Sequence, residues 1–519
     1  MNIQAILNVV GVLLILLSGL LLAPLGVSIY YGHPTLEGYI SETLAFSVTF
    51  AGGLITGLLC WKLFPSGIEK LRDREGFAIV ASSWIAMSAF GALPLYLTGI
   101  CPNYIDALFE SASGFTTTGA SILVDIDAVL HGILFWRNLM QWVGGMGIIL
   151  LSLAIFPMLG IGSFHLFKAE IPGGSTVEQM QPRLAETAKI LWKTYLALTV
   201  IEVVALRFAG LDLFNAVCHT FSTVATGGFS PHNGSVGVFN NIFIEAILIL
   251  FMFFGGINFA LHSQIVKGNF AGVLKNPEFR SYCSMLIIGI LFVTWGLTRV
   301  SPDNNAGEAF RNAAFTVVSI QTTTGFVTDD FNLWPEYLKL LILGIMVVGG
   351  CSGSTSGSFK VIRFIILIKI ILRELTKLVH PRAIFHVKVG EKTISPDDLS
   401  NVAALTFLFI GISALSAMML SFMGVDLTTA ISASIASLFN IGPGLGVVGA
   451  MGNYATIPTM GKGILISCML LGRLEIYGIL LLISVSYTHL RAHETPEHRV
   501  WRGLLEKKKR GGGGGGGGG

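Results

Sequence analysis

Four short glycine-bearing segments recur at near-regular intervals along the chain: Thr116-Thr117-Thr118-Gly119, Val224-Ala225-Thr226-Gly227, Thr322-Thr323-Thr324-Gly325 and Asn440-Ile441-Gly442-Pro443-Gly444. Each follows a modestly apolar stretch too short to cross a bilayer and precedes a long hydrophobic one. Gly119, Gly227, Gly325 and Gly444 read as the central glycines of the four. In a membrane chain, fourfold recurrence predicts four quarter-walls around one axis. Backbone carbonyls from such segments can line the axis and replace the water shell of a small cation. Turning carbonyls inward demands unusual backbone angles, which glycine reaches without a Cβ penalty. One such segment alone would be an ordinary turn. Four in the same register predict a cation pore folded from one polypeptide.

Composition supports a membrane setting. Of 519 residues, 53% are hydrophobic and 12% charged, with a mean hydropathy of +0.73; soluble chains carry about 25% charged residues. Candidate spans fall at 4–30, 42–63, 77–99, 133–158, 186–209, 239–266, 281–299, 337–372 (interrupted), 400–423 and 460–483. Short helices are expected at Asn103–Gly114, Leu211–Thr223, Ala306–Ile320 and Leu427–Asn440. The expected fold is an all-α polytopic membrane protein. Two N-terminal transmembrane helices (1–64) precede four pseudo-repeats of helix, half-helix, re-entrant filter loop and helix around a central pore (77–158, 185–266, 280–375 and 399–483).

Lys62, Lys70, Arg72 and Arg74 follow the second span, Lys168 and Arg183 the fourth, and Lys267, Lys275 and Arg280 the sixth. Arg363, Lys369, Arg373, Lys377, Arg382, Lys388 and Lys392 surround the end of the eighth. Opposite loops are nearly free of Lys and Arg, so both termini are expected in the cytoplasm. The half-helices then enter from outside and point their partly negative C-terminal ends inward, which favours a cation.

The six scattered cysteines form no CxxC pair and read as small apolar packing residues. Met1 to Leu22 lacks a basic start and a small-residue cleavage site, and reads as a retained helix. Residues 484–519 resemble a translated sequencing adapter followed by homopolymer runs ending in nine glycines. Without that stretch the chain has 26 basic against 27 acidic residues, so its basic end is no nucleic-acid or lipid patch. No HExxH, GxSxG or Walker A segment is present, and no enzymatic activity is expected.

The chain resembles the TrkH-type potassium uptake proteins, in the superfamily with the Ktr and HKT transporters. The resemblance rests on Asp106-Ala107-Leu108-Phe109-Glu110, Gln141-Trp142-Val143-Gly144-Gly145-Met146-Gly147, Ala225-Thr226-Gly227-Gly228-Phe229-Ser230, Gln321-Thr322-Thr323-Thr324-Gly325-Phe326, Gly349 to Gly357 and Gly472-Arg473-Leu474-Glu475. It implies K+ uptake across a bacterial cytoplasmic (inner) membrane, a homodimer, and a cytosolic TrkA-type nucleotide-binding regulatory subunit. In that superfamily serine at the first central position goes with sodium preference. Glycine at all four therefore implies potassium, the alternative being a sodium-permeable or ion-coupled member. The fourth segment lacks threonine, so its ring is not expected to be symmetric.

Span eight is interrupted by Gly349, Gly350, Cys351, Ser352, Gly353, Ser354, Thr355, Ser356 and Gly357, none of them large. Non-helical backbone at membrane depth survives inside protein or against water. The run reads as a movable loop under the filter, or else as a close-packing helix face. Lys360 would anchor this loop or snorkel to the interface. Arg473, midway along span ten, needs water or a partner. The resemblance implies a barrier in the pore; a salt bridge to another span is the other reading. Arg137 and Glu202 read as packing partners.

Overall fold

The computed structural model describes residues 3–32, 38–64, 73–147, 181–300, 306–380, 385–390 and 392–474. The stretch from 484 onward, Glu475 and the distal parts of spans four and ten lie outside the described residues. The described chain is helical apart from a two-residue ladder pairing Lys388 with Thr393 and Val389 with Lys392.

Two long helices, Ile3–Tyr31 and Glu42–Leu63, pack antiparallel. Their contact runs along small residues. A Cβ at Gly57 would come 2.8 Å from Ile15, and one at Gly11 would come 2.7 Å from Cys60. Asn8 donates to the carbonyls of Trp61 and Phe64. Small residues that let backbones approach are the usual adhesive where lipid removes the hydrophobic drive between helices.

Four short helices then appear: Tyr104–Phe115, Leu213–Val224, Ala306–Gln321 and Leu427–Leu438. Asn103, Asp212 and Asp426 cap three of them, each side chain accepting from a backbone N–H of the first turn. These half-helices match the expected stretches within a few residues. Each leads through a glycine-bearing segment to a second helix: His131–Gly145, Ile242–Gly255, Glu336–Val348 and Thr459–Arg473.

The second helices correct one expected span, the sixth. Each runs for 13 to 15 residues, about 20 Å of helix against the roughly 30 Å of a bilayer core. Each ends at a glycine pair or beside one glycine: Gly144-Gly145, Gly255-Gly256, Gly349-Gly350 and Gly472. The stretch 239–266, expected as one span, is two helices, Ile242–Gly255 and Phe259–Val266, bent by 106°. The interruption expected in the eighth span alone is thus shared by the sixth. Among the described residues five helices are long and apolar enough to cross a membrane, or six if the bent pair is one span.

Glycine at these ends has a steric reason. A Cβ on Gly144 would land on the Phe115 carbonyl, and one on Gly472 on the Leu438 carbonyl. Phe115 and Leu438 are the last residues of the first and fourth half-helices. The first and fourth of the second helices therefore close directly against the foot of their half-helices.

Candidate functional site

Backbone angles fix the register of the four segments. Thr117, Thr226, Thr323 and Asn440 all have positive φ, between 52° and 58°. Two residues later stand Gly119, Gly228, Gly325 and Gly442, with φ of 79°, 79°, 82° and 98°. Two of the expected central glycines are therefore corrected. Gly227 occupies the place of Thr118, and Gly444 lies beyond the ring, without a positive φ. The left-handed region is costly for residues with a Cβ, and φ singles out the glycine that the turn requires.

These four glycines interlock. A Cβ on Gly119 would strike the Gly227 carbonyl, one on Gly228 the Thr324 carbonyl, and one on Gly325 the Ile441 carbonyl. A Cβ on Gly442 would lie 2.6 Å from the Thr118 carbonyl. Each glycine thus abuts the residue preceding the glycine of the next segment, and the fourth returns to the first. The result is a closed ring of backbone. Thr116, Thr117, Thr118, Val224, Ala225, Thr226, Gly227, Thr322, Thr323, Thr324, Gly325, Asn440, Ile441, Gly442 and Gly444 are buried, and Gly119 is half-buried.

The ring departs from fourfold symmetry in two places. Asn440 donates through Nδ2 to Thr118 Oγ1 (2.9 Å) and to the Met469 carbonyl (3.0 Å), tying the fourth segment to the first. In the second segment Gln141 donates to the Gly227 carbonyl at 2.6 Å and accepts from the Phe229 N–H at 3.0 Å. Above the ring a cavity is lined by Gly119, Gly228, Gly325 and Gly442, with Arg137 and Tyr454 on its wall. Arg137 is fully buried, paired with Glu110 at 2.6 Å, and lies 4.2 Å over the Phe229 ring. Glu202 is also fully buried.

Below the ring lies the Gly349–Gly357 run. It is not helical, which removes the reading as a helix face. Its backbone docks on the break in the second helix of the second repeat: Cys351 N–H donates to the Gly256 carbonyl (2.9 Å) and Thr355 N–H to the Gly255 carbonyl (3.3 Å). A helix end leaves carbonyls without intrahelical partners, and here the loop supplies the donors. Phe259 N–H returns a bond to the Gly353 carbonyl, and Ser352 N–H reaches Glu278 at 2.6 Å. Gly350 closes on Ser356, and Ser354 donates to the Cys351 carbonyl. The Lys360 ammonium folds back onto the Ser356 carbonyl. Ser358 and Lys360 hold positive φ, 66° and 78°, without being glycine.

Arg473 sits where ring, loop and helix ends meet. Nη1 donates to Thr117 Oγ1 and to the Thr355 carbonyl, both at 3.1 Å. Nη2 donates to the carbonyls of Gly144 (2.6 Å) and Gly145 (3.1 Å). The structure therefore brings together all four segments, the loop, Lys360 and Arg473. Among the described residues no group of His, Cys, Asp and Glu is arranged to hold a metal ion.

The family model described as TrkH, cation transport protein, matches residues 46–489. The Trk system potassium uptake protein TrkH of Salmonella typhimurium (strain LT2) is 40% identical over 492 residues, covering 94% of this chain and 99% of the relative. TrkG of Escherichia coli (strain K12), also named a Trk system potassium uptake protein, is 32% identical over 486 residues, 93% of this chain and 98% of the relative. The crystal structure of the potassium transporter TrkH from Vibrio parahaemolyticus matches with a TM-score of 0.82 at 38% identity, covering 93% of this chain and 98% of that one.

Proposed function

Because this chain belongs to the TrkH cation transport family, we propose that it carries potassium into a bacterial cell through the glycine-interlocked ring. The observation that carries the reading is the closed circuit Gly119–Gly227, Gly228–Thr324, Gly325–Ile441 and Gly442–Thr118. A circuit of backbone with a cavity on one side supports a filter that strips water from an ion. The proposed ion-binding residues are those of the four segments, with Gly228 added and Gly444 set beyond the ring. Carbonyls suit the task because they are strong dipoles without net charge, so an ion is admitted and still released.

The Gly349–Gly357 loop with Lys360 and Arg473 is the proposed gate. It lies directly under the ring, and a guanidinium there repels a cation in a narrow passage of low dielectric. The loop leads into Val361–Val379, whose Arg363, Lys369, Arg373 and Lys377 suit a cytoplasmic position. There a nucleotide-binding ring of the TrkA type would bias the loop. A homodimer in the inner membrane, with both termini cytoplasmic, belongs to the same reading.

The test is potassium uptake in a strain lacking its own uptake systems, with and without the regulatory ring. Growth at low potassium and a preference for potassium over sodium are expected. Sodium uptake of equal rate would move the reading to a sodium-permeable or coupled member of the superfamily.

A further inference from the structure

Three of the four filter segments accept a hydrogen bond at their half-helix end from the gate, and the residue before the fourth accepts one from Ser358, just beyond the loop. In the first, Arg473 Nη1 donates to Thr117 Oγ1 at 3.1 Å. In the second, the Thr355 hydroxyl proton is shared between the carbonyls of Val224 (3.0 Å) and Gly255 (3.1 Å), and Thr355 Oγ1 accepts from Thr226 Oγ1 at 3.3 Å. In the third, Ser356 Oγ donates to the Thr322 carbonyl and Gly357 N–H to Thr323 Oγ1, both at 2.7 Å. Just before the fourth, Ser358 N–H donates at 2.9 Å to the carbonyl of Phe439, the residue that ends the half-helix. The acceptors are carbonyl and hydroxyl oxygens, the ligands a dehydrated alkali cation takes. The donors present the positive ends of N–H and O–H bonds, together with one full charge on the guanidinium.

We propose that the closed gate and a permeating potassium ion compete for the same oxygens at this end of the filter, so that potassium itself drives the loop away. The proposal rests on the reading of the ring as a filter and of the loop as its gate. A donor within hydrogen-bond reach of these oxygens occupies the space a bare cation would fill, and the guanidinium adds repulsion. Ion occupancy and closure therefore exclude one another. A ligand that binds only one of two states shifts the population toward it. The loop is built to be displaced: Ser358 and Lys360 are held in strained backbone angles, and its own glycines lower the cost of rearrangement. Thr117, Thr226 and Thr323 become residues that couple the filter to the gate, besides any part they take in coordinating the ion.

The test uses the full chain in liposomes. Amide exchange of the 349–360 peptide is measured in potassium chloride and in choline chloride at equal ionic strength, alongside basal rubidium flux. Faster exchange of that peptide in potassium is expected. Thr323→Val keeps the side-chain shape but removes the oxygen that Gly357 N–H uses. It should speed loop exchange in choline and raise basal flux about fivefold, the shift that losing one ordinary hydrogen bond gives a two-state equilibrium. Thr323→Ser, which keeps the hydroxyl that Gly357 N–H uses, should exchange the loop in choline at the wild-type rate. If Thr323→Val does not assemble, Thr355→Val tests the same capping from the loop side with the filter untouched, and the same rise is expected. Equal loop exchange in both salts in a conducting wild type overturns the proposal, as does wild-type flux in an assembled Thr323→Val or Thr355→Val variant. A wild type that carries no potassium at all overturns the functional reading instead.

Discussion

Glu110 and Arg137 are both fully buried, 2.6 Å apart, one on the first half-helix and one on the helix that follows its segment. Ser121 Oγ and Ile122 N–H complete the carboxylate, while Ser121 Oγ and the Ser230 carbonyl accept from the guanidinium. Such a pair adds little net stability over an apolar one, yet removing one partner strands the other charge at a cost of about 3–5 kcal/mol. Glu110→Gln should therefore lower the unfolding temperature in detergent by many degrees, and Glu110→Gln combined with Arg137→Met should recover much of the loss. Equal melting of wild type and single variant would show the pair to be solvated. Arg473 is a different case, because its partners are hydroxyl and backbone oxygens of the filter, the loop and the helix ends. Arg473→Ala should raise basal flux while the potassium-to-sodium ratio stays at the wild-type value, since the ring glycines are untouched. A drop in that ratio would place Arg473 within the filter's own function.

At the scale of elements, much was legible beforehand. Half-helix, segment and second helix follow from apolar length and from Thr and Gly placement, and three of the four half-helices announce themselves with Asn or Asp caps. The ring glycines were misassigned in the second and fourth segments because each contains two candidates. The signal was present all the same: Thr117-x-Gly119, Thr226-x-Gly228, Thr323-x-Gly325 and Asn440-x-Gly442 share one spacing. The helix breaks are likewise marked by glycine pairs at 144–145 and 255–256, which lie inside apolar runs. Hydrophobicity sees total apolar length and is blind to a bend. What no spacing could reveal is which distant donors meet the ring, because those bonds join residues such as Arg473 and Thr117, 356 positions apart. The loop itself carries a further prediction. Deleting Ser352 through Ser356 removes the Thr355 and Ser356 caps and should give high potassium flux that no longer responds to the regulatory ring. A folded deletion variant with low flux and intact stimulation would move the gate to the Arg473 constriction.

At the scale of the whole molecule, the repeats are stapled to one another around the ring. Lys462, on the second helix of the fourth repeat, pairs with Asp106 on the first half-helix at 2.7 Å. Arg311, on the third half-helix, pairs with Glu245 on the second helix of the second repeat at 2.6 Å. With the Asn440–Thr118 bond, the Lys462–Asp106 pair fastens the fourth glycine-bearing unit to the first, which closes the ring. The account's central claim is that four unlike segments act as one selective ring whose register is Gly119, Gly228, Gly325 and Gly442. The direct measurement is the potassium-to-sodium permeability ratio in liposomes for wild type, for each of these glycines changed singly to serine, and for Gly444→Ala. The account predicts a potassium-selective wild type, a lowered ratio in each of the four serine variants, and a ratio near wild type for Gly444→Ala, whose added Cβ meets side chains at Val448 and Ser432. An unselective wild type, or selectivity lost at Gly444 and kept at Gly228 and Gly442, would contradict it.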